Sequence, residues 1–172
     1  QLVFWSACLG MLLFGIGLIT LGAVLPDLRI KHSLDAVQAG TLFSILPVGI
    51  IGGSLLFGPV CDRYGYRMLL PLSSLLMFAG FEGLALTDSA LILTLSVFLI
   101  GFGGGAINGA TNAVVADISV NGKGADLSIL GVFFGIGALG MPLLLSLLKE
   151  TVRFETTVAG TGLLAQIGRA HV

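Results

Sequence analysis

Ten residues, GPVCDRYGYR from Gly58 to Arg67, set one acid and two arginines between long apolar runs. Charges so close can make and break ion pairs: Asp62 can cap the positive N-terminus of a helix, and Arg63 or Arg67 can clamp a carboxylate. Gly58 and Gly65 would let the backbone turn tightly there. A second constellation lies in GFGGGAINGATNAVVADIS, where Asn108 and Asn112 stand four residues apart and so share one face of a helix. Amides in an apolar helix need partners. Either they bond across to a neighbouring helix, or they face a cavity, where joint donors and acceptors suit the hydroxyls of a neutral polyol such as a sugar. Asp117 falls at the expected C-terminus of that helix, where the dipole disfavours an acid. It should attract a cation, with Arg67 and Arg63 the nearest candidates, unless it is simply solvated in the loop to Asp126.

The elements that must position these groups are set by composition. Of 172 residues 56% are hydrophobic and 10% charged, and the mean hydropathy is +1.07; a soluble domain carries about one-quarter charged residues. This is an integral membrane protein. A net charge of −1 gives no basic face, so nucleic acid is not an expected partner. Cys8 and Cys61 are far apart, with no paired-cysteine or histidine pattern for a metal or a disulfide framework. No GxxxxGK[ST] phosphate loop is present, and no span holds paired carboxylates, a Ser/His arrangement or a metal-ligand cluster. The expectation is therefore a protein that is not an enzyme and needs no cofactor, catalytic residue or metal. A transporter-like sensor would require a signalling domain in addition.

Charge-free runs long enough to cross about 30 Å of hydrocarbon are Leu2 to Pro26, Gly40 to Val60, Met68 to Leu86, Ala90 to Ala116 and Leu127 to Leu148. Short links force successive helices to alternate in direction. A truncated sixth helix would begin within Thr156 to Gln166. The final stretch, Ile167 to Val172, reads IGRAHV, which the codons of a common sequencing adapter would encode; the expectation is an adapter scar at 167–172 and a partial N-terminal transmembrane half-domain at 1–166. Lysines and arginines divide three to four between the two sets of links and leave orientation open. Sliding the chain by 84 positions sets Phe14-Gly15-Ile16-Gly17 on Phe98-Leu99-Ile100-Gly101, and Ser44-Ile45-Leu46 on Ser128-Ile129-Leu130. A period of three helices places the copies in opposite senses, the inverted-repeat arrangement of secondary transporters. The abundant glycines read as close helix packing in lipid, as surfaces for helix rocking, or as both.

The pattern Gly58-x-x-x-Asp62-Arg63-x-Gly65-x-Arg67, between the second and third helices, resembles the signature loop of the major facilitator superfamily of transporters. The resemblance implies the N-terminal half of that all-α fold, with five full transmembrane helices plus a truncated sixth, completed by a C-terminal half of the same chain. It also implies a cytoplasmic latch, broken and remade in each cycle, with Asp117 paired to an arginine of the motif. Phe133-Phe134-Gly135-x-Gly137-Ala138-Leu139 and Asn112 resemble the fucose permease group. Gly22 and Asn108 stand where those permeases carry acids, which puts proton coupling through these positions in doubt. The run Gly135-x-Gly137-x-x-Gly140-x-Pro142 resembles, less closely, a helix 5 motif of drug and proton antiporters.

The resulting expectation is a multi-pass protein of a bacterial inner membrane that moves a small polar solute, a sugar foremost, by alternating access with a proton or sodium as coupling ion. A drug or metabolite exporter of the same fold is the alternative. Asn108, Asn112, Gln38 and Phe134 are the candidate solute contacts, with Thr41 and Ser44 beside Gln38 at the vestibule and Phe134 stacking on a sugar ring. Glu82, the only acid within a span, lies near a helix end and should snorkel to the interface. Asp27, Asp88 and His32 read as loop residues, and His171 belongs to the suspected scar.

Overall fold

A computed structural model describes residues 2–119 and 122–148; the side chains of Arg67 and Leu148, the stretch from Lys149 and with it the expected sixth helix and adapter tail lie outside the described residues. Five helices follow one another: α1 Leu2–His32, α2 Ala36–Tyr64, α3 Tyr66–Leu86, α4 Ala90–Ile118 and α5 Lys123–Leu148. All are long and apolar enough to cross a membrane. They match the charge-free runs but overshoot them, because a helix continues through the wet interface once its charged side chains reach water.

The largest difference is at α1, which does not stop at Pro26. It runs on to His32, so Asp27 and His32 are helical rather than loop residues, and Arg29, Lys31 and His32 fill its last turn, where cations complement the dipole. Lys31 also donates to the Ala85 carbonyl at 3.2 Å and lies 3.8 Å from Asp88, fastening this end to the α3–α4 link. Pro26, Pro47, Pro59, Pro71 and Pro142 all lie inside helices, as membrane helices tolerate. The link before α2 shrinks to Ser33, Leu34 and Asp35. There Asp35 Oδ1 accepts from the Gln38 N–H at 2.7 Å, and Gln38 Oε1 accepts from the Asp35 N–H at 3.1 Å, a reciprocal cap that starts α2.

Helices α1 and α4 form the centre. α4 packs most extensively on α2 and α3 and also on α1, while α1 carries α5. Backbones approach most closely in two of these contacts. On α1 and α5, a methyl added at Gly15 would overlap the Phe134 carbonyl oxygen, and one at Gly137 would overlap that of Leu12. On α2 and α4, Gly53 is as tight against the Phe102 carbonyl and Gly105 against that of Ile50.

These crossings are copies of each other. Gly53 faces the Phe102 oxygen and the Ala106 nitrogen, while Gly137 faces the Leu12 oxygen and the Ile16 nitrogen. Positions 53 and 137 are 84 apart, whereas 12 and 102, and 16 and 106, are 90 apart. The repeat is therefore present, but a single offset does not describe it. The match of Phe14 to Gly17 with Phe98 to Gly101 is out of structural register, a coincidence of glycine-rich composition; Gly15 corresponds instead to Gly105.

The close approaches make a prediction. Gly137→Ala should lower apparent stability by about 1–3 kcal/mol through overpacking. Gly131→Ala, on the same helix with nothing within 4 Å of an added methyl, should change it by no more than about 0.5 kcal/mol. Thermal unfolding in detergent, followed by size-exclusion chromatography, checks both.

Candidate functional site

The motif end is built around a single residue. Gly65 alone separates α2 from α3, at φ 73°, a left-handed conformation that glycine adopts without strain. Its N–H donates to the Cys61 carbonyl at 2.7 Å and closes α2. Gly58 does not share in this turn: it lies inside α2 beside Pro59, because the helix runs on through the first half of the motif. Asp62 and Arg63 are exposed on the last turn of α2. The Arg63 guanidinium sits 5.4 Å from the centre of the Tyr64 ring, within cation–π range. The Arg67 side chain, the other expected partner of Asp117, lies outside the described residues.

Asp117 is bonded by a residue that sequence reasoning missed. Tyr66, first in α3, donates its hydroxyl to Asp117 Oδ2 at 3.1 Å. The signal available was the second tyrosine of YGYR, placed where α3 begins and therefore level with the end of an antiparallel α4. Nearby, Ser119 Oγ donates to Asp126 Oδ2 at 2.5 Å. Tyr66 precedes the apolar span Met68–Leu86. Burial first, and then its bond to Asp117, push its phenol from 10.0 up to about 12. The shift is upward, so the bond contributes fully below pH 10 and is lost as pH rises through about 12. A difference titration at 295 nm between the protein and its Tyr66→Phe variant should accordingly show one phenol ionising near pH 12; ionisation near pH 10 would refute the assignment.

The amides occupy a different part of α4. Gly104 and Thr111 face α1, against Phe14 and Gly10, while Gly105 and Gly109 face α2, against Ile50 and Phe57. At 100° per residue Asn108 and Asn112 fall between these two faces, and both are half-buried. Asn112 Nδ2 donates to the Asn108 carbonyl at 2.8 Å and to Asn108 Oδ1 at 3.0 Å. Among the described residues this leaves Asn108 Nδ2 as a donor and Asn112 Oδ1 as an acceptor, with no bond to another helix. In the register of the repeat, Leu18 and Gly22 hold the matching positions on α1, and an added methyl at Gly22 would meet open space. Phe14, packed on Gly104 one turn below Asn108, meets Phe134 with ring centres 5.4 Å apart. The structure thus joins Asn108 to Asn112, while Phe134 meets Phe14, which lies against Gly104 rather than against either amide.

Gln38 is not part of this group. It belongs to the cap of α2, and since Leu46 and Ile50 lie level with Gly101 and Gly105, it sits about 20 Å along the bundle from Asn108. Thr41 and Ser44 bond to carbonyls of their own helix, at 2.9 and 3.1 Å. Phe133 meets Trp5 edge to face, and Glu82 is half-buried on α3.

A family model described as Major Facilitator Superfamily matches residues 7–168. The chain belongs to the Major Facilitator Superfamily. Its five membrane-length helices and this membership make it an integral, multi-pass membrane protein of a family of transporters rather than enzymes. A D-xylose transporter of Levilactobacillus brevis is 29% identical over 128 residues, 74% of this chain and 28% of the relative. The sodium-dependent glucose transporter 1 of Rattus norvegicus is 28% identical over 83% of this chain and 29% of its own length. A cis,cis-muconate transport protein of Acinetobacter baylyi is 30% identical over 68% and 28%. The chain thus spans under a third of the length of these relatives. Among solved structures, that of the proton:xylose symporter XylE bound to 6-bromo-6-deoxy-D-glucose superposes with a TM-score of 0.85 over 98% of this chain and 43% of that one, at 18% identity. That likeness carries the fold alone: the five helices are those of a major facilitator half.

Proposed function

We propose that the protein is a secondary transporter that moves a small polar solute, a sugar foremost, across a bacterial inner membrane by alternating access. The observation that carries this reading is the Asn108–Asn112 pair, half-buried between the α1-packed and α2-packed faces of α4. There each amide is oriented by the other and keeps one hydrogen-bonding atom for a solute. A donor and an acceptor side by side match a vicinal diol, whose hydroxyls both give and accept. Phe134, packed on Phe14, offers a ring to the apolar face of a sugar. Relatives named for D-xylose and glucose support this substrate class. In this reading a C-terminal half of the same chain closes the site from the other side, and a proton or sodium gradient drives the cycle. Asp62, Arg63, Arg67 and Asp117 latch the motif end, with Gly65 as its turn.

A metabolite carrier or exporter is the second reading, favoured by the relative named for cis,cis-muconate. A dicarboxylate would want a cation where this pair supplies only amides. Uptake of radiolabelled monosaccharides into proteoliposomes holding the full-length protein, with imposed proton or sodium gradients, separates the two. Sugar uptake should be saturable, and Asn108→Ala or Asn112→Ala should lower kcat/KM about 10- to 100-fold, since each strands a hydrogen-bonding group of the solute. Transport of carboxylates or cationic dyes, with no sugar taken up, would overturn the sugar reading.

A further inference from the structure

We propose that Tyr66 is a positioning residue of the transport cycle, whose hydroxyl, donated to Asp117, fastens the α2–α3 turn to the end of α4 and sets how readily the motif end opens. This rests on the alternating-access reading above. The clasp lies at the open end of the α3–α4 contact, beyond the close approach of Gly103 to Ser73 and Met77. Tyr66 directly follows the one-residue turn at Gly65, so whatever holds its ring also holds the last turn of α2, with Asp62 and Arg63. The donor is uncharged. Asp117 is therefore fixed through Oδ2 by a neutral group, and among the described residues Oδ1 is left for a cation. Asp126, at the start of α5, is held in the same manner by the Ser119 hydroxyl. The tyrosine orients Asp117 without neutralising it. Arg63, turned over Tyr64, does not compete for that oxygen.

Cys61 supplies a natural reporter. It is half-buried on the last turn of α2, and its carbonyl closes the Gly65 turn. In the full-length protein in proteoliposomes, the rate of Cys61 alkylation by N-ethylmaleimide, read by mass spectrometry of the Cys61 peptide, should rise about tenfold in Tyr66→Phe. The thermal midpoint should stay within about 2 °C and the KM for a transported sugar within about twofold, while the maximal rate changes. Asp117→Leu, which leaves the contact of the Tyr66 hydroxyl with Cys61 in place, should also accelerate alkylation, and the double variant no further than Tyr66→Phe. Should Tyr66→Phe fail to reach the membrane, Asp117→Leu alone must show the acceleration. Unchanged alkylation in either variant, or additive effects in the double, would overturn the proposal even if sugar uptake is normal. The alkylation pattern as stated, in a protein that takes up no sugar, would keep the clasp and remove only the sugar reading.

Discussion

Everything in this bundle depends on backbones touching. Lipid tails are as apolar as leucine, so burying side chains against one another gains little in a membrane, and helices hold together through close packing and polar contacts instead. Here that packing is reached where Gly15 and Gly137 bring α1 against α5, and where Gly53 and Gly105 bring α2 against α4. Each glycine stands where a single methyl would collide with a carbonyl oxygen. The bundle is assembled from these two junctions: α1 and α4 lie at the centre because each, besides being half of one, packs on the other, and α3 completes the layer on α4.

That constraint also explains where polar groups are admitted. The faces of α4 turned to α1, α2 and α3 are filled mostly by glycine, alanine and aliphatic side chains, and the buried hydroxyls among them, Ser96 and Thr111, bond to carbonyls of α4 itself. Asn108 and Asn112 occupy the strip between the α1 and α2 faces, the part of the helix that packing does not claim, and they orient each other there. The charged groups gather at the helix ends, where Tyr66, Ser119 and the Asp35 cap hold carboxylates by neutral donors. Polarity is thus graded from amides near mid-helix to full charges at the surface, as the cost of burying each demands.

Much of this was legible in the residues. Five charge-free runs gave five helices, since length and apolarity suffice when every backbone group must bond within its own segment. The amide pair was visible as a spacing of four. Helix ends were less so: Pro26 and the charges after it looked like a stop, yet the helix continued into the interface, and Gly58 looked like half of a turn that Gly65 makes alone. The repeat was detected, but its register in α1 and α4 was not, because a glycine-rich sequence matches itself at several offsets and only contacts discriminate between them. Gln38 looked like a vestibule amide, and its reciprocal bond with Asp35 was hidden only by the assumption that the link extended past it. Tyr66 went unnoticed because its partner is 51 residues away, and nothing in local spacing announces it.

The turn at Gly65 has a mechanical consequence. One residue spans at most about 3.8 Å between successive Cα atoms, so the end of α2 and the start of α3 cannot slide past or part from each other. Both helices press on α4 from different sides. A push delivered to the exposed end of α2 therefore reaches the far side of α4 through α3 without slack, as through a bent lever with no play in its joint.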